Sequence, residues 1–252
     1  MSALKAFLLA AGIGERLRPL TDDLPKCMVP IAGRPLLQYW VFLFERHGIT
    51  DVVINLHHHP NLVERYLRAR ENSEVRFKFF REDRLLGSGG TISANADFIR
   101  QEPDFYILYA DNLTNVNLES LLRFHRAHRG IVTMGLFHAS TPEQCGIAEL
   151  DSRGLITSFQ EKPAHPRSNL ANAGVLVASP QLLSYIPSGK VVDLGHHVLP
   201  NLVGRMYGYV IKEYLQDIGT MENYLSAQRA WPGFSEFTAE VSPRRVRQGE
   251  GA

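Results

Sequence analysis

Leu8-Leu9-Ala10-Ala11-Gly12-Ile13-Gly14-Glu15-Arg16-Leu17-Arg18-Pro19-Leu20-Thr21, running on to Pro25-Lys26-Cys27-Met28-Val29-Pro30, is the segment around which this sequence is organised. The apolar run Ala6 to Ala11 has the length of a buried strand and breaks into a glycine turn. Gly12 and Gly14 permit positive φ and close backbone approach, so that consecutive N–H groups can face phosphate oxygens. Two arginines and then a lysine follow within a dozen residues. Arg16 offers a planar fork suited to paired phosphate oxygens, and Lys26 a mobile point charge. Spacing excludes two other phosphate loops. A dinucleotide fingerprint needs a glycine where Leu17 stands, and a Walker loop needs Gly-Lys-Ser/Thr in place of Leu17-Arg18-Pro19. Taken alone, Gly12-Ile13-Gly14 also fits an ordinary strand-to-helix turn.

The chain of 252 residues, 44% hydrophobic, can fill one large α/β domain or two small ones. A net charge of +1 gives no reason to expect nucleic acid or an anionic membrane as partner. Cys27 and Cys145 are the only cysteines, too few for a disulfide framework, and a cytoplasmic, reducing setting is the simpler expectation. The apolar run after Lys5 ends too soon, in Gly-Ile-Gly-Glu-Arg, to be a signal peptide. No stretch approaches the ~20 apolar residues of a membrane span.

Outward from the opening loop, helices and strands alternate. Leu36, Leu37, Trp40, Leu43 and Phe44 recur at helical spacing, Val52 to Leu56 reads as a strand, and Leu62, Val63, Tyr66 and Leu67 mark a second helix. Val75, Phe77 and Phe79 alternate as a strand with one buried face. This rhythm predicts a parallel sheet flanked by helices, with ligands at the carboxyl ends of the strands. At the end of the apolar strand Phe105 to Ala110 stands Asp111, which could hold a divalent cation or serve as a turn residue. Gly87-Ser88-Gly89-Gly90 leads into a helix through Ile99, and permits close approach of a ligand or forms a flexible loop. Two short strands around Asp151-Ser152-Arg153-Gly154 read as a hairpin, followed by Glu161-Lys162-Pro163. Asp193 to Val203 reads as a helix, Tyr207 to Ile211 as a strand, and Met221 to Ala230 as the last helix. His57-His58-His59 alternate across an extended segment and make a poor metal site, and Cys27 reads as a small buried thiol.

The opening string resembles the signature of the sugar-1-phosphate nucleotidylyltransferases, written G-x-G-x-R-L-x-P-L-T and then P-K. Gly12, Gly14, Arg16, Leu17, Pro19, Leu20, Thr21, Pro25 and Lys26 all fall in place. The resemblance runs from about residue 3 to 230. It implies a Rossmann-like mixed, mostly parallel sheet flanked by helices, the nucleotide-diphospho-sugar transferase fold, with no β-helix domain because no hexapeptide repeat is present. It implies a domain over 1–230, with a nucleotide-binding part at about 1–115 and a sugar-phosphate-binding part at about 116–230; the tail over 231–252, which carries Pro, Gly and an arginine cluster without apolar periodicity, reads as mobile or loosely docked.

The resemblance also implies roles. Arg16 and Lys26 are the catalytic cations. Leu9, Ala11, Gly12, Gly14, Glu82, Gly87, Ser88 and Asp111 contact nucleotide, and Gly146, Glu161, Lys162, Asn172 and Gly174 contact the sugar phosphate. Asp111 and Asp217 share Mg²⁺. Ala110 replaces the family's glycine before Asp111, and Tyr214 or Leu215 its tryptophan before Asp217. The implied reaction joins a nucleoside triphosphate and a sugar-1-phosphate into a nucleoside diphosphate sugar, releasing pyrophosphate, in a monomer or homodimer. The string Pro25-Lys26-Cys27-Met28-Val29-Pro30-Ile31-Ala32-Gly33 resembles guanylyltransferases for mannose- or heptose-1-phosphate and short uridylyltransferases. GTP is therefore the expected donor, with UTP or dTTP as alternatives, and a non-catalytic nucleotide-sugar sensor is the expectation from a different class.

Overall fold

Period-two burial along three central strands builds the molecule. The computed structural model describes residues 4–70, 73–189 and 191–234. The elements in order are β1 (Leu4–Leu9), β2 (Pro30–Ile31), β3 (Arg34–Pro35), α1 (Leu36–Arg46), β4 (Ile49–Leu56), α2 (Pro60–Arg68) and β5 (Arg76–Arg81). They continue as α3 (Gly87–Ala94), β6 (Phe105–Tyr109), β7 (Asn112–Thr114), α4 (Leu118–His128), β8 (Val132–His138), β9 (Gly146–Leu150) and β10 (Ile156–Glu161). The last are β11 (Leu170–Ala178), β12 (Met206–Val210), β13 (Leu215–Asp217) and α5 (Met221–Ala230).

The main sheet runs β10-β9-β11-β6-β1-β4-β5, with β8 on β11 and β12 on β8. β1 lies parallel between β4 and β6, and β5 extends that half in parallel. β11 turns the direction, pairing antiparallel with β6, β8 and β9. Alternation sends Ala6, Leu8, Val52, Ile54, Tyr106 and Leu108 into one core and Phe7, Val53, Phe105 and Ile107 into the other. The first core is covered by α1, α2, α4 and α5, and the second by α3 and the turns between Pro180 and Leu202. A layered α/β sheet with helices on both faces is what the alternation predicted.

Two expectations need adjustment. The helix foreseen over 193–203 is broken into a wide turn, Leu194–Val198, and a tight one, Leu199–Leu202. Gly195 and Pro200 lie inside that span, and Pro200 has no N–H to continue a helical ladder. The helix foreseen through Ile99 ends at Ala94 and gives way to a short turn. The start of the foreseen tail is docked: Trp231 meets Tyr39 edge-on at 5.2 Å, and Phe234 is buried. The rest of that tail, 235–252, lies outside the described residues. Among the described residues no helix is long and apolar enough to cross a membrane.

Candidate active site

The parallel register puts Leu9 beside both Asn55 and Tyr109, so the loops after β1 and β6 leave the sheet at the same edge. After β1, Gly14 adopts φ 75°, and a Cβ there would approach Thr21 Cγ2 to 3.0 Å. Glycine therefore fits the turn twice over, by conformation and by space. Thr21 Oγ1 donates to the Gly14 carbonyl at 2.8 Å and pins the loop. His58 and His59 reach the carbonyls of Thr21 and Asp22, each at 3.0 Å, and His57 reaches that of Glu82 at 2.7 Å. The three imidazoles thus hold loop backbone.

A small antiparallel pair completes the edge. Asp217 on β13 sits opposite Asn112 on β7, and Ile218 N–H donates to the Asp111 carbonyl at 2.8 Å. This ladder brings Asp111 and Asp217 together from distant parts of the chain. Lys26, its side chain 11% exposed, lies between them: its ammonium pairs with Asp111 and stands 3.8 Å from Asp217 Oδ1. Burial first, and then the charge of Asp111, raises the pKa of Asp217 to about 6, against the pull of Lys26 and Arg16. Two carboxylates converging on one ammonium form a hard, oxygen-only donor set that already accommodates positive charge, which fits Mg²⁺. Cys27 next to Lys26 is fully buried, and burial pushes its thiol up to about 12, so it is inert packing.

Two depressions flank this centre. One, of about 420 Å³, is lined by Gly12 to Arg16, Lys26, Leu85 and Gly219. The other, of about 240 Å³, includes Arg16, Asp111, Gly146, Glu161, Lys162, Asn172, Gly174 and Asp217 in its lining. Arg16 borders both. Leu9, Gly12, Lys26 and Asp111 meet again in a small hollow below.

On the second side, Gly174 takes φ 63° in a bulge of β11, where a Cβ would come within 2.6 Å of Asn112 Nδ2. Asn172 Oδ1 accepts from Gly174 N–H at 3.0 Å. Lys162 is held at φ 49°, uncommon for a residue with a side chain, by its N–H bond to the Cys145 carbonyl. Gly146 lies so close to Glu161 that a Cβ would stand 2.5 Å from Oε2. Burial, then the charge of Asp193, keeps the Glu161 carboxyl above its ordinary range, with His196 and Lys162 opposing.

The other four residues expected at the nucleotide have protein neighbours of their own. Glu82, 5% exposed, turns inward: Oε1 accepts from Asn55 Nδ2 and Thr91 Oγ1, and Oε2 from Leu86 N–H. Asn55 Oδ1 in turn accepts from Ala10 N–H at 2.7 Å, so Glu82 braces the cleft from beneath. Gly87 and Ser88 face the segment 191–194. A Cβ on Gly87 would stand 2.4 Å from the Val192 carbonyl, which accepts from Gly89 and Gly90 N–H. Ala11 is buried. Sequence reasoning passed over Asp193, Gly195, Tyr109, Phe137 and Cys145, which also line the second depression. An Asp-Leu-Gly-His-His string in a supposed helix was the available signal, since glycine mid-helix is unfavourable.

Comparison with known proteins gives the family and the fold. A family model described as nucleotidyl transferase matches residues 5–232. The chain is 31% identical to a UTP–glucose-1-phosphate uridylyltransferase of a Synechocystis species, over 98% of this chain and 68% of that one. It is also 31% identical to a mannose-1-phosphate guanylyltransferase of Mycobacterium tuberculosis, over 97% and 67%. A crystal structure of a UDP-glucose pyrophosphorylase with UDP-glucose bound shares the fold at TM-score 0.76 and 21% identity, covering 91% of this chain and 98% of that one.

Proposed function

The chain belongs to the nucleotidyl transferase family, and we propose that it transfers a nucleoside monophosphate from GTP to a mannose- or heptose-type 1-phosphate, releasing pyrophosphate. The observation that carries this reading is the meeting of Asp111, Asp217, Lys26 and Arg16 where a glycine-lined cleft adjoins a polar one.

A sugar phosphate oxygen attacks the α-phosphorus in line, and the bond to the β-phosphate oxygen breaks. The attacking phosphate is already ionised near neutral pH, so no general base is needed. Catalysis is then positioning and charge neutralisation. Arg16, bordering both depressions, steadies the triphosphate and the departing pyrophosphate. Lys26 leaves the carboxylates to reach the α-phosphate, Lys162 neutralises the sugar phosphate, and Glu161 and Asn172 accept and donate to sugar hydroxyls. Asp111 and Asp217 would hold Mg²⁺, which supplies further charge neutralisation to the phosphates.

The printed names of the similar proteins divide between guanylyl and uridylyl transfer, so UTP is the competing donor. A matrix of GTP, UTP, dTTP, ATP and CTP against mannose-, heptose-, glucose- and glucosamine-1-phosphate, read by pyrophosphate release with Mg²⁺, tests the assignment. The expected product lies in the GTP row with mannose- or heptose-1-phosphate. Turnover in the UTP row alone replaces the donor. Binding of nucleotide sugar with turnover in no cell makes the protein a sensor.

A further inference from the structure

Lys26 and Asp217 meet in the site but come from opposite ends of the described chain. The ion pair between them cannot hold their segments in register through turnover, because the reaction above draws Lys26 away to the α-phosphate. Ties independent of that pair converge on the last helix. Three residues separate Asp217 from α5, which is capped by Thr220 Oγ1 accepting from Asn223 N–H at 3.2 Å. The far end of α5 returns to the segment that carries Lys26.

One tie is polar. The turn Lys26–Met28 runs into the β2–β3 hairpin, whose connecting residues, Ala32 and Gly33, lie at φ 46° and 77°. Glycine takes that conformation freely and alanine does not. Gln228 of α5 brackets this turn: Oε1 accepts from Ala32 N–H at 3.0 Å, and Nε2 donates to the Pro30 carbonyl at 2.7 Å.

The other tie is aromatic. Trp231 stands edge-on to Tyr39 at 5.2 Å and to Tyr214 at 5.1 Å. Tyr39 belongs to α1 and donates its hydroxyl to the Ile31 carbonyl, in β2, at 2.7 Å. Tyr214 leads into β13. Its N–H donates to Asn115 Oδ1 at 2.9 Å and its carbonyl accepts from Thr114 Oγ1 at 2.8 Å, which fixes the β7–β13 ladder just before Asp217. The Tyr214 hydroxyl is buried without a hydrogen-bond partner among the described residues, so ring contacts hold this side chain. One indole thus touches both the approach to Asp217 and the helix pinned to the hairpin after Lys26.

We propose that Trp231 is a positioning residue, with Gln228 as its polar counterpart, that sets the separation of Lys26 and Asp217 from outside the cleft. Neither residue lines the two depressions. The proposal rests on reading that cleft as a nucleotidyl-transfer site. Edge-to-face rings prefer one orientation and spacing, and a displacement of about 1 Å from remote packing can cost up to about 100-fold in rate.

The full chain is compared as wild type, Trp231→Ala, Trp231→Phe and Gln228→Ala, well below each thermal midpoint, with the nucleoside triphosphate and sugar-1-phosphate that give most product. Trp231→Ala is expected to lower kcat by about 10- to 100-fold, with both KM values within about threefold of wild type. Trp231→Phe keeps an aromatic edge and should recover kcat to within about threefold. Gln228→Ala loses exposed hydrogen bonds and should lower kcat by about 2- to 10-fold. Crystal structures of wild type and Trp231→Ala without ligand should show the Lys26 Nζ to Asp217 Oδ1 separation, 3.8 Å here, widened by about 1 Å in the variant. A thermal midpoint that falls in Trp231→Ala while kcat and that separation stay at wild type would overturn the proposal and leave Trp231 as packing. KM values that rise with kcat unchanged overturn it too. Wild type that turns over no sugar phosphate with any nucleoside triphosphate refutes the reading of the cleft instead, and the separation in Trp231→Ala then decides the anchoring by itself.

Discussion

Glu82→Gln separates a brace beneath the cleft from a nucleotide contact. The wild-type carboxylate receives three donors: Asn55 Nδ2 and Leu86 N–H, each at 2.9 Å, and the Thr91 hydroxyl. In the glutamine one oxygen becomes an NH₂ group that must face either Leu86 N–H or the Asn55 and Thr91 pair, donor against donor. Hydrogen bonds to charged groups contribute about 1.5–3 kcal/mol each, and an orphaned buried donor costs about 1–3 kcal/mol. Losing one bond and weakening the others puts the destabilisation near 3 kcal/mol. For a chain of this length about 2–4 °C accompanies each kcal/mol, so the thermal midpoint should fall by roughly 6–12 °C. Differential scanning fluorimetry without ligand gives that number directly. The nucleotide KM should rise only a few-fold, through displacement of Ala10 and Leu86. A midpoint within about 2 °C of wild type together with a tenfold or larger rise in nucleotide KM would refute this and return Glu82 to the ligand.

Lys26→Met removes the cation between Asp111 and Asp217. Steady-state kcat should drop by about 10²- to 10³-fold, as for loss of one group that stabilises charge in the transition state. Gly146→Ala places a Cβ 2.5 Å from Glu161 Oε2 and 2.7 Å from Phe159 Cζ, so Glu161 must shift. Sugar phosphate KM should rise at least tenfold with nucleotide KM unchanged, seen in crossed titrations. The pH dependence has a definite sign. Asp217 has its native pKa raised to about 6, so the metal-free native state binds that proton more tightly than the unfolded chain. Stability from this group is present at low pH and lost as pH rises from about 4 through about 6. The loss should be about 1 kcal/mol, because the side chain is 46% exposed and solvent screens it. Mg²⁺ binds the carboxylate, so melts with MgCl₂ should reverse the trend, with the ion stabilising more above pH 6 than below.

The parallel half of the fold was legible because its strands are short apolar runs bounded by glycine and helical periodicity. Both faces of β1, β4 and β6 are buried, and their composition says so. The arm beyond β6 was harder. Local pattern carries no strand direction, so nothing marked β11 as the place where the sheet reverses, or β8 and β12 as its neighbours. Arg16, Lys26 and Asp111 stood out by residue type and motif spacing and Asp217 only through the family resemblance, and the β7–β13 ladder joins the two acids. The protein partners of Glu82 and the surroundings of Gly87 were not legible for one physical reason: a buried acid with protein donors looks in sequence like an acid waiting for a ligand. Likewise, glycine makes room for a passing strap as readily as for a phosphate.

That strap bears on how the chain can be divided. Val192 is inserted between Leu86 and Gly90, bonding both sides of the turn into α3, while β6 is stitched to β1 on one flank and β11 on the other. A gene cut near residue 115 would therefore produce two fragments, each with an open seam where the other belongs. Such halves would behave as complementing partners that regain order on mixing, and their reassembly would make the protein a usable split reporter.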